Sequence, residues 1–222
     1  MHAFIQSELG NIGRFQTTGN NIMRYIIGDM KGIIHIINLL HGKLRTPKNK
    51  RFNDLIHFIN TKYYLTIPES LLDNSSFKDN SWFTGFTEAD GHFGIKCVKS
   101  KYKSEARKKV VSANISLRFR LDQRTYDKST YTCMRPFMED LALFLSCNLK
   151  SYTNNSNSEL LTLYVSSISN IQLLINYFNK YPLIGNKLDD FKRWEIVYNM
   201  IVSKEHISEE GILKIRAVIN KL

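Results

Sequence analysis

Cysteine is scarce in this 222-residue chain: Cys97, Cys133 and Cys147 are odd in number and show no paired spacing. That excludes a disulfide framework and a multi-cysteine zinc site, and it fits a reducing compartment. Long apolar runs are missing as well. The longest candidate, residues 33–40, is broken by His35 and Asn38, well short of the ~20 residues that a bilayer-spanning helix needs. No secretory signal is expected at the start, because Gln6, Ser7 and Glu8 stand where an apolar segment would be required. Acidic residues are in deficit, with 20 Asp and Glu against 31 Lys and Arg, giving a formal net charge of +11. Nucleic acid is the simplest partner for such a balance, although a merely soluble basic protein would share it.

What is present is enough for a buried core: 43% of residues are hydrophobic, in one large or two small domains. Asn, Ile, Lys, Tyr and Phe are abundant. Their codons are poor in G and C, which points to an AT-rich genome such as a mitochondrial one.

The chain is organised around residues 81–94. They read as a helix apolar on one side, with Gly85 and Ala89 one turn apart, ending in a carboxylate and a glycine and passing straight into a strand. Gly85 costs a helix about 1 kcal/mol relative to alanine, so its presence beside Ala89 suggests that another backbone approaches that face. Glu88 and Asp90 sit at the negative end of the helix dipole, where acids are repelled unless a cation compensates. A divalent metal is the obvious candidate.

Phe83-Thr84-Gly85-Phe86-Thr87-Glu88-Ala89-Asp90-Gly91 resembles the signature of the LAGLIDADG homing endonucleases and their relatives, the intron maturases, keeping Gly85, Ala89, Asp90 and Gly91. The resemblance implies an α+β fold: an αββαββα unit whose saddle-shaped antiparallel sheet carries helices on one face. It implies that two signature helices pack side by side and that the carboxylate at Asp90 reaches a shared metal site over the scissile phosphates. Mg²⁺ is the expected ion.

Patterning along the rest of the chain agrees. A helix end at residues 8–13 leads to a strand, a turn at Gly19-Asn20-Asn21, a second strand over 22–27 and a helix over 30–40. Thr46 and Pro47 are expected to cap a helix over 48–59, with Phe52, Leu55, Ile56 and Ile59 on one side. Residues 61–80 lack periodicity and read as a linker. After the signature helix come strands over 93–99 and 110–122 joined by a basic loop, 99–109. A helix over 131–145 follows, then a hairpin over 148–152 and 160–165 around Asn154-Asn155-Ser156-Asn157, and a helix over 168–179. Asn186 is expected to cap the next helix, and 203–221 to close the chain with a last helical segment.

An internal repeat divides the chain. Ile37-Asn38-Leu39-Leu40 leads to Lys48, with Phe52, Leu55 and Ile59 at four, seven and eleven residues beyond. Ile175-Asn176-Tyr177-Phe178 leads to Lys187, with Phe191, Trp194 and Tyr198 at the same offsets. Residues 1–60 therefore read as a partial half-unit without its own signature, and 81–222 as a complete one. Ile27-Gly28-Asp29-Met30 is not a second signature, because it occupies the strand-to-helix step of the repeat.

The candidate site residues follow. Asp90 is expected to hold the metal. The resemblance implies a catalytic lysine at Lys187, with Lys48 as its counterpart in the first half-unit, and a water-ordering glutamine at Gln123. Glu88 is either a weaker site acid or a solvent-facing glutamate. Period-two alternation puts Gly94, Lys96, Val98 and Ser100 on one strand face and Ser116, Arg118 and Arg120 on one face of the next, opposite Phe93, Ile95, Cys97, Leu117, Phe119 and Leu121. Lys96, Ser100, Arg118, Arg120 and Lys150 are the expected DNA contacts, since such a ribbon fits a major groove ~12 Å wide. The expected activity is intron-encoded, site-specific cleavage of double-stranded DNA. The alternatives are a maturase that binds group I intron RNA, and an inactive nucleic-acid-binding remnant. A single signature helix leaves the Gly85 face bare, so a second chain or a missing N-terminal half is expected to cover it.

Overall fold

The computed structural model describes residues 2–19, 22–98, 114–154 and 157–219. They form two compact units, Met1–Ser75 with Tyr126–Cys133, and Ser76–Thr125 with Met134–Leu222.

The first unit contains α1 (His2–Glu8), the antiparallel pair β1 (Arg14–Thr18) and β2 (Ile22–Ile26), then α2 (Met30–Leu40) and α3 (Lys48–Tyr63). Asp29 caps α2, accepting a hydrogen bond from Gly32 N at 2.7 Å, so the Gly28-Asp29 step is a helix start and not a signature. Ile37, Phe52, Ile56 and Ile59 form the core. Phe52 and Ile59 occupy the repeat positions of Phe191 and Tyr198, and all four are buried. Leu55 differs, being 38% exposed where its counterpart Trp194 is 0% exposed.

Two expectations change here. Pro47 itself stands at the N-cap of α3 in helical conformation, with no side chain capping the turn, and the helix runs on to Tyr63. Residues 64–75, which lack apolar periodicity, are fastened by polar groups. The Asn49 and Asn53 amides donate to Ser70 O, Asn53 Oδ1 accepts from Ser70 N, and Asn60 and Ile67 exchange bonds at 2.8 and 3.0 Å. The Arg45 guanidinium, nearly fully buried, meets Asp73 at 3.0 Å. Burial opposes the charge on Asp73, but hydrogen bonds from Ser75 and the Arg45 cation outweigh it and hold the carboxyl below the usual carboxylate range.

The second unit runs α4 (Trp82–Asp90), β3 (Gly91–Val98), β4 (Asn114–Arg124), α5 (Arg135–Phe144), β5 (Leu149–Thr153), β6 (Glu159–Val165), α6 (Ile168–Lys180), α7 (Asn186–Val202) and α8 (Glu209–Ile219). The first seven are the αββαββα order. The sheet is antiparallel throughout, in the order β3-β4-β6-β5. Its inner face presents Phe93, Leu117, Phe119, Leu121, Leu161, Leu163 and Val165, all buried under the helices. Phe83 of α4 is 0% exposed and lies 5.9 Å from Phe119 and 5.7 Å from Phe178, ring centre to ring centre. Phe93 meets Phe191 and Trp194 of α7 at 5.6 and 5.4 Å. One aromatic cluster thus joins α4, α6 and α7 to the sheet.

Boundaries moved where local chemistry overrode periodicity. Residues 131–134 are not helical: Asp127 gathers the Ser129 and Thr130 amides and the Thr130 hydroxyl, and Tyr126 bridges Cys133. α5 starts only at Arg135, with Pro136 in its first turn. Asn186 is the first residue of α7 and not its cap, which is Gly185. The closing segment is a 3-10 turn, Glu205–Ile207, followed by α8. The expected turns at Asn20-Asn21 and Asn155-Ser156, the basic loop 99–109, and Lys221 lie outside the described residues.

Candidate functional site

α4 is built so that its two sides differ. Phe83, Thr84 and Thr87 face the core, while Gly85, Ala89 and Asp90 are exposed. A methyl group placed on Gly85 would meet nothing within 4 Å, so no neighbour among the described residues requires a glycine there. Gly91 is required, because a Cβ at that position would fall 2.6 Å from Thr87 Cγ2 and 2.9 Å from Thr87 O. Only glycine lets the chain turn from helix into β3 this tightly.

That turn fixes Asp90. Gln123, next to last in β4, donates from Nε2 to Asp90 Oδ2 at 2.8 Å, offsetting part of the repulsion between a carboxylate and a helix C-terminus. Asp90 is exposed, and its Oδ1 accepts no hydrogen bond among the described residues.

Two residues on, His92 begins the polar face of the sheet. Partial burial first, then the cations of Arg118, Lys187 and Arg120, hold its imidazole below the usual range, opposed by Asp190. Lys187 is the second residue of α7, the helix whose Phe191 and Trp194 pack on Phe93 of the strand that leaves Asp90. His92 was not among the residues singled out from sequence. Its alternation with Gly94 and Lys96 was the available signal.

The polar face extends across all four strands. In register, His92 pairs with Arg120 and Arg120 with Tyr164; Gly94 pairs with Arg118, and Lys96 with Ser116; Asp122 pairs with Thr162, and Thr162 with Lys150. Lys96, Arg118, Arg120 and Lys150 therefore share the face away from the core. Ser100 lies outside the described residues. Arg120 is held in place: it meets Asp122 at 2.9 Å, donates to Tyr152 Oη at 2.8 Å and lies over that ring, while Thr162 donates to Asp122. Gly94 makes room for Arg118, whose Cγ and Nε would lie 2.7 and 2.5 Å from a Cβ there.

Glu88 is neither a bystander nor turned to solvent. Its Oε1 accepts from the backbone N–H of Ile184 at 2.6 Å and of Gly185 at 2.8 Å, at the start of α7. Lys48, by contrast, belongs to the first unit, exposed at the first residue of α3.

A family model described as LAGLIDADG endonuclease matches residues 83–198, more than half of the chain, from buried Phe83 through α7. The chain belongs to that family. It is 27% identical over 219 residues to an uncharacterized cox1 intron-2 protein of Schizosaccharomyces pombe, covering 96% of this chain and 60% of that one. It is 29% identical over 223 residues to probable intron-encoded endonuclease 4 of Neurospora crassa, covering 98% of this chain and 37% of that one. This LAGLIDADG chain thus spans less than two thirds of the length of either relative. Among solved structures, it resembles the I-LtrWI LAGLIDADG homing endonuclease bound to target DNA, with a TM-score of 0.72 and 21% identity over 100% of this chain and 82% of that one. I-SmaMI bound to uncleaved DNA target in the presence of calcium ions gives a TM-score of 0.71 and 22% identity, over 97% and 81%. At such identity the likeness establishes the fold.

Proposed function

We propose that this chain acts as an intron-encoded, site-specific endonuclease that hydrolyses phosphodiester bonds in double-stranded DNA with the help of a divalent metal, Mg²⁺. The observation that carries the reading is the placement of Asp90: an exposed carboxylate at the end of the signature helix, hydrogen-bonded to Gln123 and followed directly by the cationic face of the sheet.

The donor set fits half of a metal site. A hard dication takes one or two carboxylates and completes its shell with phosphate oxygens and water. Asp90 offers one carboxylate, and no group of three or more His, Cys, Asp or Glu suited to a metal occurs among the described residues. The second carboxylate would come from another signature helix packed on Gly85 and Ala89, supplied by a second chain or by an N-terminal half. When bound, Mg²⁺ neutralises phosphate charge and makes a coordinated water a better nucleophile.

The chain's own residues do the rest. Asp90 would hold the metal, while Gln123 donates to its Oδ2 and would order water nearby. Lys187 brings an ammonium toward the scissile phosphate, where charge develops on oxygen, and Lys48 has the corresponding place in the first half-unit. Lys96, Arg118, Arg120 and Lys150, with Ser100, contact DNA phosphates and base edges in the major groove. The cox1 intron origin of one relative and the AT-rich composition support expression in the mitochondrial matrix.

A plasmid carrying the uninterrupted host-gene sequence at the intron-insertion site, incubated with the chain and Mg²⁺, tests the reading. Nicking or cutting there, and none in the intron-containing allele, is expected. Intact plasmid under conditions where the duplex is bound would overturn it.

A further inference from the structure

We propose that Glu88 is the positioning residue that sets α7, and with it Lys187, at a fixed distance from Asp90. The two carboxylates of the signature segment divide the work: Asp90 serves the site, and Glu88 holds the helix that brings the lysine.

The argument starts from what α7 lacks. Its N-cap, Gly185, has no side chain to take up an amide, and only its carbonyl closes the first turn, accepting from Leu188 N at 3.0 Å. Exposed amide groups at such an end need an acceptor. Glu88 Oε1 supplies one from far along the chain, taking the Gly185 N–H at the N-cap, 97 residues on, and the Ile184 N–H just before it, 96 residues on. A carboxylate there is favoured by the helix dipole, and it offsets the cost of Lys187 one turn away.

A second tie comes from the same helix. One turn before Glu88, Thr84 Oγ1 donates to Tyr181 O at 2.8 Å. The corner between α6 and α7 is thereby held at two points along α4, and Tyr177 Oη adds a third bond to Asn80 O just before α4 begins. Lys187 follows Gly185 by two residues, and Asp90 follows Glu88 by two. Any slip of the corner along α4 changes the separation of lysine and aspartate directly. Because Glu88 reaches the lysine only through the backbone, it is not itself catalytic.

The inference rests on the endonuclease reading for its kinetic test and is independent of it for its structural one. In the 222-residue chain, Glu88→Ala is expected to lower the single-turnover cleavage rate of bound DNA by about tenfold or more, as a shift near 1 Å in a reacting group does. The Kd for the duplex should change by no more than about threefold. Glu88→Gln keeps the acceptor oxygen and should recover most of the rate. The double variant Glu88→Ala/Lys187→Ala should be no slower than Lys187→Ala alone, because the first change acts through the second residue. Additive losses, or a Glu88→Gln variant as slow as Glu88→Ala, would overturn the proposal.

Hydrogen exchange needs no cleavage. Glu88→Ala should speed exchange of the Ile184 and Gly185 amides relative to those of α6, and Glu88→Gln should do so much less. Unchanged protection of those two amides in Glu88→Ala would overturn the proposal whether or not the wild type cuts. A wild type that leaves DNA intact while showing the exchange difference would count against the endonuclease reading alone.

Discussion

At the scale of single residues, the cationic sheet face depends on neighbours that carry no charge. Arg118 lies across Gly94 because glycine leaves the space. Gly94→Ala is therefore expected to displace the arginine and weaken duplex binding while changing stability by less than about 1 kcal/mol, a split that fluorescence anisotropy and urea denaturation would show together. Arg118→Ala should also lower the slope of log K against log salt by about 0.9, measured between 50 and 200 mM salt. Asp90's position at the end of α4 was legible because its spacing from Gly85 and Gly91 is a pattern. Glu88's partner was not, since nothing in a sequence ties an acid to two backbone amides 96 and 97 positions later.

At the scale of elements, the αββαββα order followed from alternation and helical spacing, and the matching halves β1-β2-α2-α3 and β5-β6-α6-α7 followed from the repeat. What escaped was structure made by polar groups. The Asp127 turn shortened α5, and the asparagines of α3 fastened a stretch that reads as a linker; neither leaves a trace in hydrophobic periodicity. Phe83, with 0% exposure among aromatic rings of α6 and the sheet, anchors α4, so Phe83→Ala should cost about 3–5 kcal/mol, read by urea denaturation. The Arg45–Asp73 pair makes the first unit sensitive to acid. The Asp73 carboxyl titrates lower in the folded chain than its ordinary value, so its contribution is complete above about pH 4 and is lost as the pH falls through the folded value. Asp73→Asn should lower stability at pH 7 by about 3 kcal/mol and flatten the acid limb of the stability curve.

At the scale of the whole molecule, Gly85 is a glycine that nothing in the described chain demands. Gly85→Ala should therefore stabilise the isolated chain by up to about 1 kcal/mol, seen as a higher melting temperature. If another helix seats against that face, the same added methyl will weaken the pairing and lower double-strand cutting relative to nicking. A net charge of +11 favours rapid, salt-sensitive encounter with any duplex, so affinity alone says little about the proposed chemistry. The direct test is Mg²⁺-dependent cleavage by wild type and Asp90→Asn on the same insertion-site duplex at equal occupancy. The wild type should break the DNA at one position, and the variant should bind within about threefold yet cut at least about 100-fold more slowly. Equal cleavage by the two proteins, or none by the bound wild type, would contradict the account.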